Sequence, residues 1–252
     1  MTAEGDTAPA RDYDKEAGQF GARKYNYDFD ARVRGFMMRA FQPLLPAGRA
    51  LELGCYVGDS TAWLTDIYDD LTVIEAAPSL VEAARARFGE RVRFFCSTFE
   101  ASDLTEEFDA IFLINTLEHL DDPVEVLGKI RRWLSPTGRL FLLVPNAQAP
   151  SRQIAVKMGL ITHNAAVTEA EAKNGHRHTF SFDTLERCVS EAGLTAFQRG
   201  GLVFKGLANY QFDAALEAGI ISDAYMEGCY QLGMQYPELC ASIYLICGRG
   251  EG

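Results

Sequence analysis

The sequence has no apolar run long enough to cross a bilayer. Its longest, such as Leu140 to Pro145, have the length of a buried strand, whereas a spanning helix needs about 20 residues. Its opening residues lack a basic stretch followed by an apolar one, so no secretory leader is read there. Positive charge is scarce as well: 24 Lys and Arg stand against 35 Asp and Glu, a formal net charge of −11. Such a surface repels phosphate backbones and anionic membranes, which excludes nucleic acid and membrane as expected partners. The six cysteines (Cys55, Cys96, Cys188, Cys229, Cys240 and Cys247) include no Cys-x-x-Cys pair. Several sit in apolar runs, which fits reduced core thiols in a cytoplasmic protein. Internal repeats and low-complexity tracts are absent too.

What is present is an ordinary globular balance, 48% hydrophobic and 23% charged over 252 residues. That suits one α/β domain with elaborations. Residues 1–24 are polar and aperiodic and are expected to be a mobile tail. From Asp30 to Phe41, the positions Val33, Phe36, Met37, Ala40 and Phe41 form one helical stripe, which Pro43, Pro46 and Gly48 terminate. Residues 1–48 thus read as a tail and helical cap.

From Arg49 the rhythm becomes strand, turn, helix. Short apolar runs at 49–53, 71–75, 91–96, 108–114 and 138–144 alternate with helical spacing at 58–68, 78–88 and 122–134. Pro78 and Pro123 fall where a first helical turn tolerates proline, and Asp121 and Asp122 offer a cap. This alternation predicts crossover units and a mostly parallel, doubly wound α/β sheet covered on both faces. After Pro145 it stops. Residues 146–178 and 207–238 read as insertions, and 179–206 and 239–252 as a last helix and strands.

The segment Glu52-Leu53-Gly54-Cys55-Tyr56-Val57-Gly58 carries the chemistry. Glu52 closes an apolar strand, where a lone carboxylate is expensive to bury without a partner. Gly54 and Gly58 bracket the turn, permit unusual torsions and let a ligand lie against the backbone. In open parallel sheets this turn is where ligands bind. Glu75 ends the next strand, 21 residues after Gly54. That is about the separation at which an acidic residue grips two ribose hydroxyls of a nucleoside. Each feature alone also fits a plain reading, a capping glutamate or an empty turn.

The motif around Glu52–Gly58 resembles motif I of class I S-adenosylmethionine-dependent methyltransferases. Asp109 to Leu120 resembles their fourth strand and following loop, and Leu134-Ser135-Pro136-Thr137-Gly138 the turn entering strand five. The likeness to the sugar, quinone and natural-product members spans 49–145 and continues weakly through 181–193. It implies a Rossmann-like, seven-stranded sheet and S-adenosyl-L-methionine as cofactor. On that resemblance Glu52 would meet the methionine amino group through water, and Gly54, Cys55, Tyr56 and Gly58 would line its backbone side. Glu75 would bind the ribose, with Ala76 beside it among the cofactor-binding residues. Ser97, Thr98 and Phe99 would flank the adenine, and Asn115 would face the methionine moiety. Tyr56 and Thr137 depart from the family's glycines, which leaves the contacts around Tyr56 open.

A dehydrogenase is disfavoured. Tyr56 and Asp59 occupy positions that a Gly-x-Gly-x-x-Gly pattern would fill with glycine, and an aspartate at a helix start repels a diphosphate. A nicotinamide oxidoreductase and an inactive cofactor-binding protein remain the rival readings. For the acceptor, a small molecule methylated on O or N, the candidates are His119, after strand four, and His176 and His178 in Asn174–Ser181. They are read as a base or acceptor-binding groups, against plain structural roles. No metal is expected, since His-x-His without a third ligand in sequence is weak. Tyr25, Tyr27 and Phe29 are weighed as an aromatic lid. A homodimer stays open.

Overall fold

The computed structural model describes residues 11–18 and 28–250. Helices α1 (Tyr13–Gly18) and α2 (Asp28–Phe41) precede the sheet. Then β1 (Arg49–Leu53), α3 (Asp59–Leu64), β2 (Asp70–Glu75), α4 (Pro78–Phe88) and β3 (Val92–Cys96) form the first crossovers. β4 (Phe108–Ile114), α5 (Pro123–Trp133) and β5 (Leu134–Pro145) follow, then α6 (Pro150–Lys157), α7 (Glu169–Lys173) and α8 (Phe182–Glu191). β6 (Leu194–Phe204), α9 (Asn209–Glu217), α10 (Asp223–Gln235) and β7 (Cys240–Arg249) complete the chain.

The seven strands lie in the order β3-β2-β1-β4-β5-β7-β6. The first five are parallel, and β7 runs antiparallel to both β5 and β6. β6 therefore points the same way as β5, so its C-terminal end joins those of β1, β4 and β5 on one edge. The sheet is Rossmann-like, as the sequence predicts.

Strand residues alternate between two cores. Ile111 and Leu113 of β4 with Leu140 and Leu142 of β5 face α5 and α8, where Leu127, Ile130, Leu185 and Val189 are buried. Ala110, Phe112, Phe141 and Leu143 face the other way, onto Met37 and Phe41 of α2, Leu64 and Val81. The predicted proline and cap at α5 are realised: Asp122 accepts a hydrogen bond from the Glu125 N–H at 3.0 Å. Such a cap contributes about 1 kcal/mol.

Two expectations need correction. Residues 11–18 do not form part of a mobile tail. Charge pairing fixes them where apolar periodicity is lacking: Arg11 binds Glu16 at 2.7 Å and donates to the His119 carbonyl at 3.0 Å, and Asp14 accepts from the Ser79 N–H. Phe29 is no lid. It is 2% exposed, sits in the first turn of α2, and packs with its ring centroid 5.0 Å from that of Phe212. Tyr25 and Tyr27 lie outside the described residues. Among the described residues no helix is long and apolar enough to cross a membrane.

Candidate active site

Where the strand ends gather, a cavity of about 650 Å³ opens, a size suited to a nucleoside-sized ligand with a small partner. Its floor is the turn from β1 to α3. Gly54 has φ 80°, and a Cβ there would come within 2.9 Å of the Thr116 hydroxyl. Gly58 has φ 83°, and a Cβ would meet the Phe88 ring at 2.6 Å. Tyr56 adopts φ 50° in the same left-handed region, at a cost of about 1–2 kcal/mol for a residue bearing Cβ.

Glu75 offsets that strain. One carboxylate oxygen accepts the N–H groups of Cys55 and Tyr56 at 3.1 and 3.3 Å, and the other accepts from Ala77 at 3.0 Å. Burial pushes its carboxyl above the ordinary value, and these donors pull part of the way back. Three of roughly four lone-pair sites are used, which leaves capacity for a ligand hydroxyl. Glu75, Ala76, Cys55, Tyr56, Thr98, Phe99 and Asn115 all line the cavity, so the structure gathers these expected residues around one space.

Glu52, Gly58 and Ser97 do not line it. Glu52 is 2% exposed beneath the turn and accepts the Thr61 hydroxyl at 2.6 Å. Burial pushes its carboxyl up to about 8, against the opposing pull of that hydrogen bond. Gly58 is spent on the close approach to Phe88, and the Ser97 hydroxyl donates to the Thr98 carbonyl at 3.0 Å.

Beyond Asn115, itself at φ 47°, the loop after β4 meets the Asn174–Ser181 segment. The Glu118 carbonyl accepts the N–H groups of Arg177 and His178 at 2.8 and 3.1 Å. This pairing sets the His119 and His176 rings edge-to-face, 4.6 Å between centroids, on the cavity wall. The Glu118 carboxyl is buried there, with Oε2 lacking a hydrogen-bond partner among the described residues, and burial pushes it up to about 8. Glu118, His119 and His176 offer ligand atoms all within 4.8 Å of one another, a set that could hold a cation. His178 stands apart: its Nε2 is buried without a partner among the described residues, and it does not line the cavity.

The sequence reading missed a third wall. Asp30 and Arg34 of α2, Lys205 after β6 and Asn209 of α9 line the same space. Arg34 pairs with Asp59 at 3.1 Å, and Asn209 donates to Asp30 at 3.0 Å. Lys205 closes the apolar run Leu202-Val203-Phe204, the same lone-charge signature that marks Glu52 and Glu75.

A family model described as a methyltransferase domain matches residues 25–198, more than half of the chain. The chain belongs to the methyltransferase domain family. Within that family, a malonyl-[acyl-carrier protein] O-methyltransferase of Anoxybacillus flavithermus is 31% identical over 128 residues, 49% of each chain. A ubiquinone biosynthesis O-methyltransferase of Xanthomonas oryzae pv. oryzae is 32% identical over 117 residues, 44% of this chain and 49% of the relative. This methyltransferase-domain chain therefore spans about half the length of the curated relatives it matches. Among solved structures, the N-methyltransferase NodS from Bradyrhizobium japonicum WM9, in complex with S-adenosyl-L-homocysteine, superposes with a TM-score of 0.60. Identity is 15%, over 96% of this chain and 100% of NodS. The 1,6-didemethyltoxoflavin-N1-methyltransferase of Burkholderia thailandensis gives 0.60 at 16% identity, over 99% and 94%. At such identities the likeness is one of fold.

Proposed function

We propose that the protein transfers the methyl group of S-adenosyl-L-methionine to an oxygen or nitrogen of a small-molecule acceptor in the cytoplasm. The observation that carries this is the convergence of Glu75, the Gly54–Tyr56 turn and Asn115 on one cavity that extends past them to His119 and His176. Glu75 accepts a ribose hydroxyl, Ala76, Thr98 and Phe99 flank the adenine, and Asn115 with Tyr56 faces the methionine end. Glu52 acts from beneath the turn, reaching an ammonium through water, and Gly58 and Ser97 shape the backbone.

Methyl transfer from a sulfonium is an in-line displacement, so alignment and exclusion of water are the protein's main tasks. Helices α2 and α6 supply the cover: Arg34 of α2 and Arg152 of α6, the latter paired with Glu171, border the cavity. A space roofed in this way suits a small acceptor better than a macromolecule. His119 and His176 contact the acceptor, and His178 positions their loop. Burial raises the Glu118 carboxyl, which favours its protonated form, and in this reading the trio acts as a hydrogen-bonding wall for the acceptor.

The test is calorimetric titration with S-adenosylhomocysteine and with NAD, followed by labelled-methyl transfer to a panel of metabolites. Binding of NAD alone favours the oxidoreductase reading. Binding of S-adenosylhomocysteine with no transfer to any acceptor favours an inactive binding protein.

A further inference from the structure

We propose that Lys205 accepts the proton of an acceptor hydroxyl during methyl transfer, positioned by Asp30 and Asn209; this rests on the methyltransferase reading above. β6 is parallel to β5, so Lys205, one residue beyond β6, emerges on the edge that carries Asn115. Ser242 of β7 pairs with both Pro145 and Leu202, which ties the two strand ends together across one strand. Two residues before Lys205, Val203 is fully buried at φ 62°. That backbone region is costly for a β-branched side chain, and such strain clusters at functional sites.

The lysine is 7% exposed, yet it forms no ion pair among the described residues. It donates one hydrogen bond, to the Asn209 side-chain oxygen, and lies 4.8 Å from the centroid of the Phe29 ring. An amino group with donor or lone-pair capacity to spare, walled in apolar surface and facing a cavity, is suited to exchange a proton with what fills it. Burial lowers Lys205 from 10.5 to about 8, with Asp30 opposing part of that shift, so a neutral fraction exists near neutrality.

The charged groups around it favour this role over anion binding. On α2, Asp30 faces Lys205, and Arg34 is engaged with Asp59. On α9, Asp213 bears on Asp30 and accepts the Phe29 N–H at 3.0 Å. The acids of α10, Asp223 and Glu227, are taken up by Arg32 and Arg39 on the exposed side. The immediate wall is thus net acidic. It repels a carboxylate ligand and stabilises an ammonium formed in the reaction. In the step itself, the acceptor oxygen bonds to the methyl carbon while the methyl–sulfur bond breaks, its electron pair staying on sulfur. The hydroxyl proton passes to Lys205 Nζ. One positive charge leaves sulfur and one arrives on nitrogen, so the cavity's charge is conserved.

Trace acetic anhydride labelling between pH 6 and 11, read by mass spectrometry, tests the amine without any acceptor. Lys205 is expected to label with a midpoint near 8, and Asp30→Asn to lower that midpoint. A midpoint in the surface-lysine range of about 10.4 overturns the proposal. In the labelled-methyl panel, containing phenols, sugars and amines, the accepted compounds are expected to be hydroxyl-bearing. Lys205→Met and Lys205→Arg should each lose about 100-fold or more in turnover with S-adenosylhomocysteine affinity within about two-fold of wild type. Retained activity in Lys205→Arg, which keeps the charge without the lone pair, or acceptance of amines alone, overturns it. Failure of the wild type to bind S-adenosylhomocysteine instead removes the methyltransferase reading itself.

Discussion

The Thr61 hydroxyl of α3 donates to the Glu52 carboxyl of β1 at 2.6 Å, and both side chains are sealed from water. The bond locks the first strand to the helix that follows the ligand-binding turn. Thr61→Val should strand a buried acid and destabilise the fold by about 1–3 kcal/mol, seen as a lower denaturation midpoint in urea. An unchanged midpoint would mean that water replaces the hydroxyl.

The same acid makes stability depend on pH. Burial raises Glu52 from 4.5 to about 8, so the native state holds a proton that the unfolded chain has released in that window. With more protons bound in the native state, the linkage slope is negative. The contribution is full below about 4.5 and is lost as pH rises to about 8. Glu118, raised in the same way, acts in the same direction. The melting temperature is expected to decline from pH 5 to 8, and Glu52→Gln should flatten that decline. A variant curve parallel to wild type refutes the assignment.

Glu75 is the most direct lever on ligand binding. Glu75→Ala removes the proposed ribose contact and frees the N–H groups of Cys55, Tyr56 and Ala77. Hydrogen bonds to a charged group contribute about 1.5–3 kcal/mol, so affinity for S-adenosylhomocysteine should fall about 10- to 100-fold by calorimetry. Glu75→Gln should fall between Ala and wild type. Wild-type affinity in the alanine variant would take the ribose role away.

The fold was legible because its signals are local. Asp122 before Pro123 and the apolar strand runs each announce themselves within a few residues. β5 starts earlier than its apolar core at 138–144 because Leu134 pairs with Phe108 across a register shift before Ala110 meets Arg139. The cofactor end of the site was legible for a related reason: Glu52 and Glu75 stand out as charges closing apolar strands. The acceptor wall was not. Asp30 and Asn209 are 179 positions apart, and Arg11 reaches the His119 carbonyl across 108, so no spacing rule connects them. His176 could be suspected from its loop, but its edge contact with His119 depends on the two N–H bonds to the Glu118 carbonyl.

The turn also predicts a separable pair of penalties. Gly58→Ala places a methyl 2.6 Å from the Phe88 ring and forces a Cβ-bearing residue to φ 83°. Thermal stability should fall, by an amount corresponding to about 2–4 kcal/mol from clash and torsion together. Adding Phe88→Leu should recover the steric part only, because the torsion remains. Full recovery in the double variant would show that the left-handed conformation carries no cost here, and no recovery would place the clash elsewhere.

Removal of metal separates two roles for the Glu118, His119 and His176 trio. Their ligand atoms lie close enough to share an ion, yet burial keeps the Glu118 carboxyl protonated up to about 8, and a cation would have to displace that proton. A protonated carboxyl beside two imidazoles instead offers donors and acceptors to a hydroxylated ligand. Exhaustive dialysis against EDTA should therefore leave both S-adenosylhomocysteine affinity and methyl transfer at the untreated level. Glu118→Gln, which keeps the shape and a donor, should hold most of the activity, whereas His176→Ala should lower turnover with cofactor affinity intact. Activity lost to EDTA and restored by a divalent cation, together with an inactive Glu118→Gln, would assign the trio to metal binding.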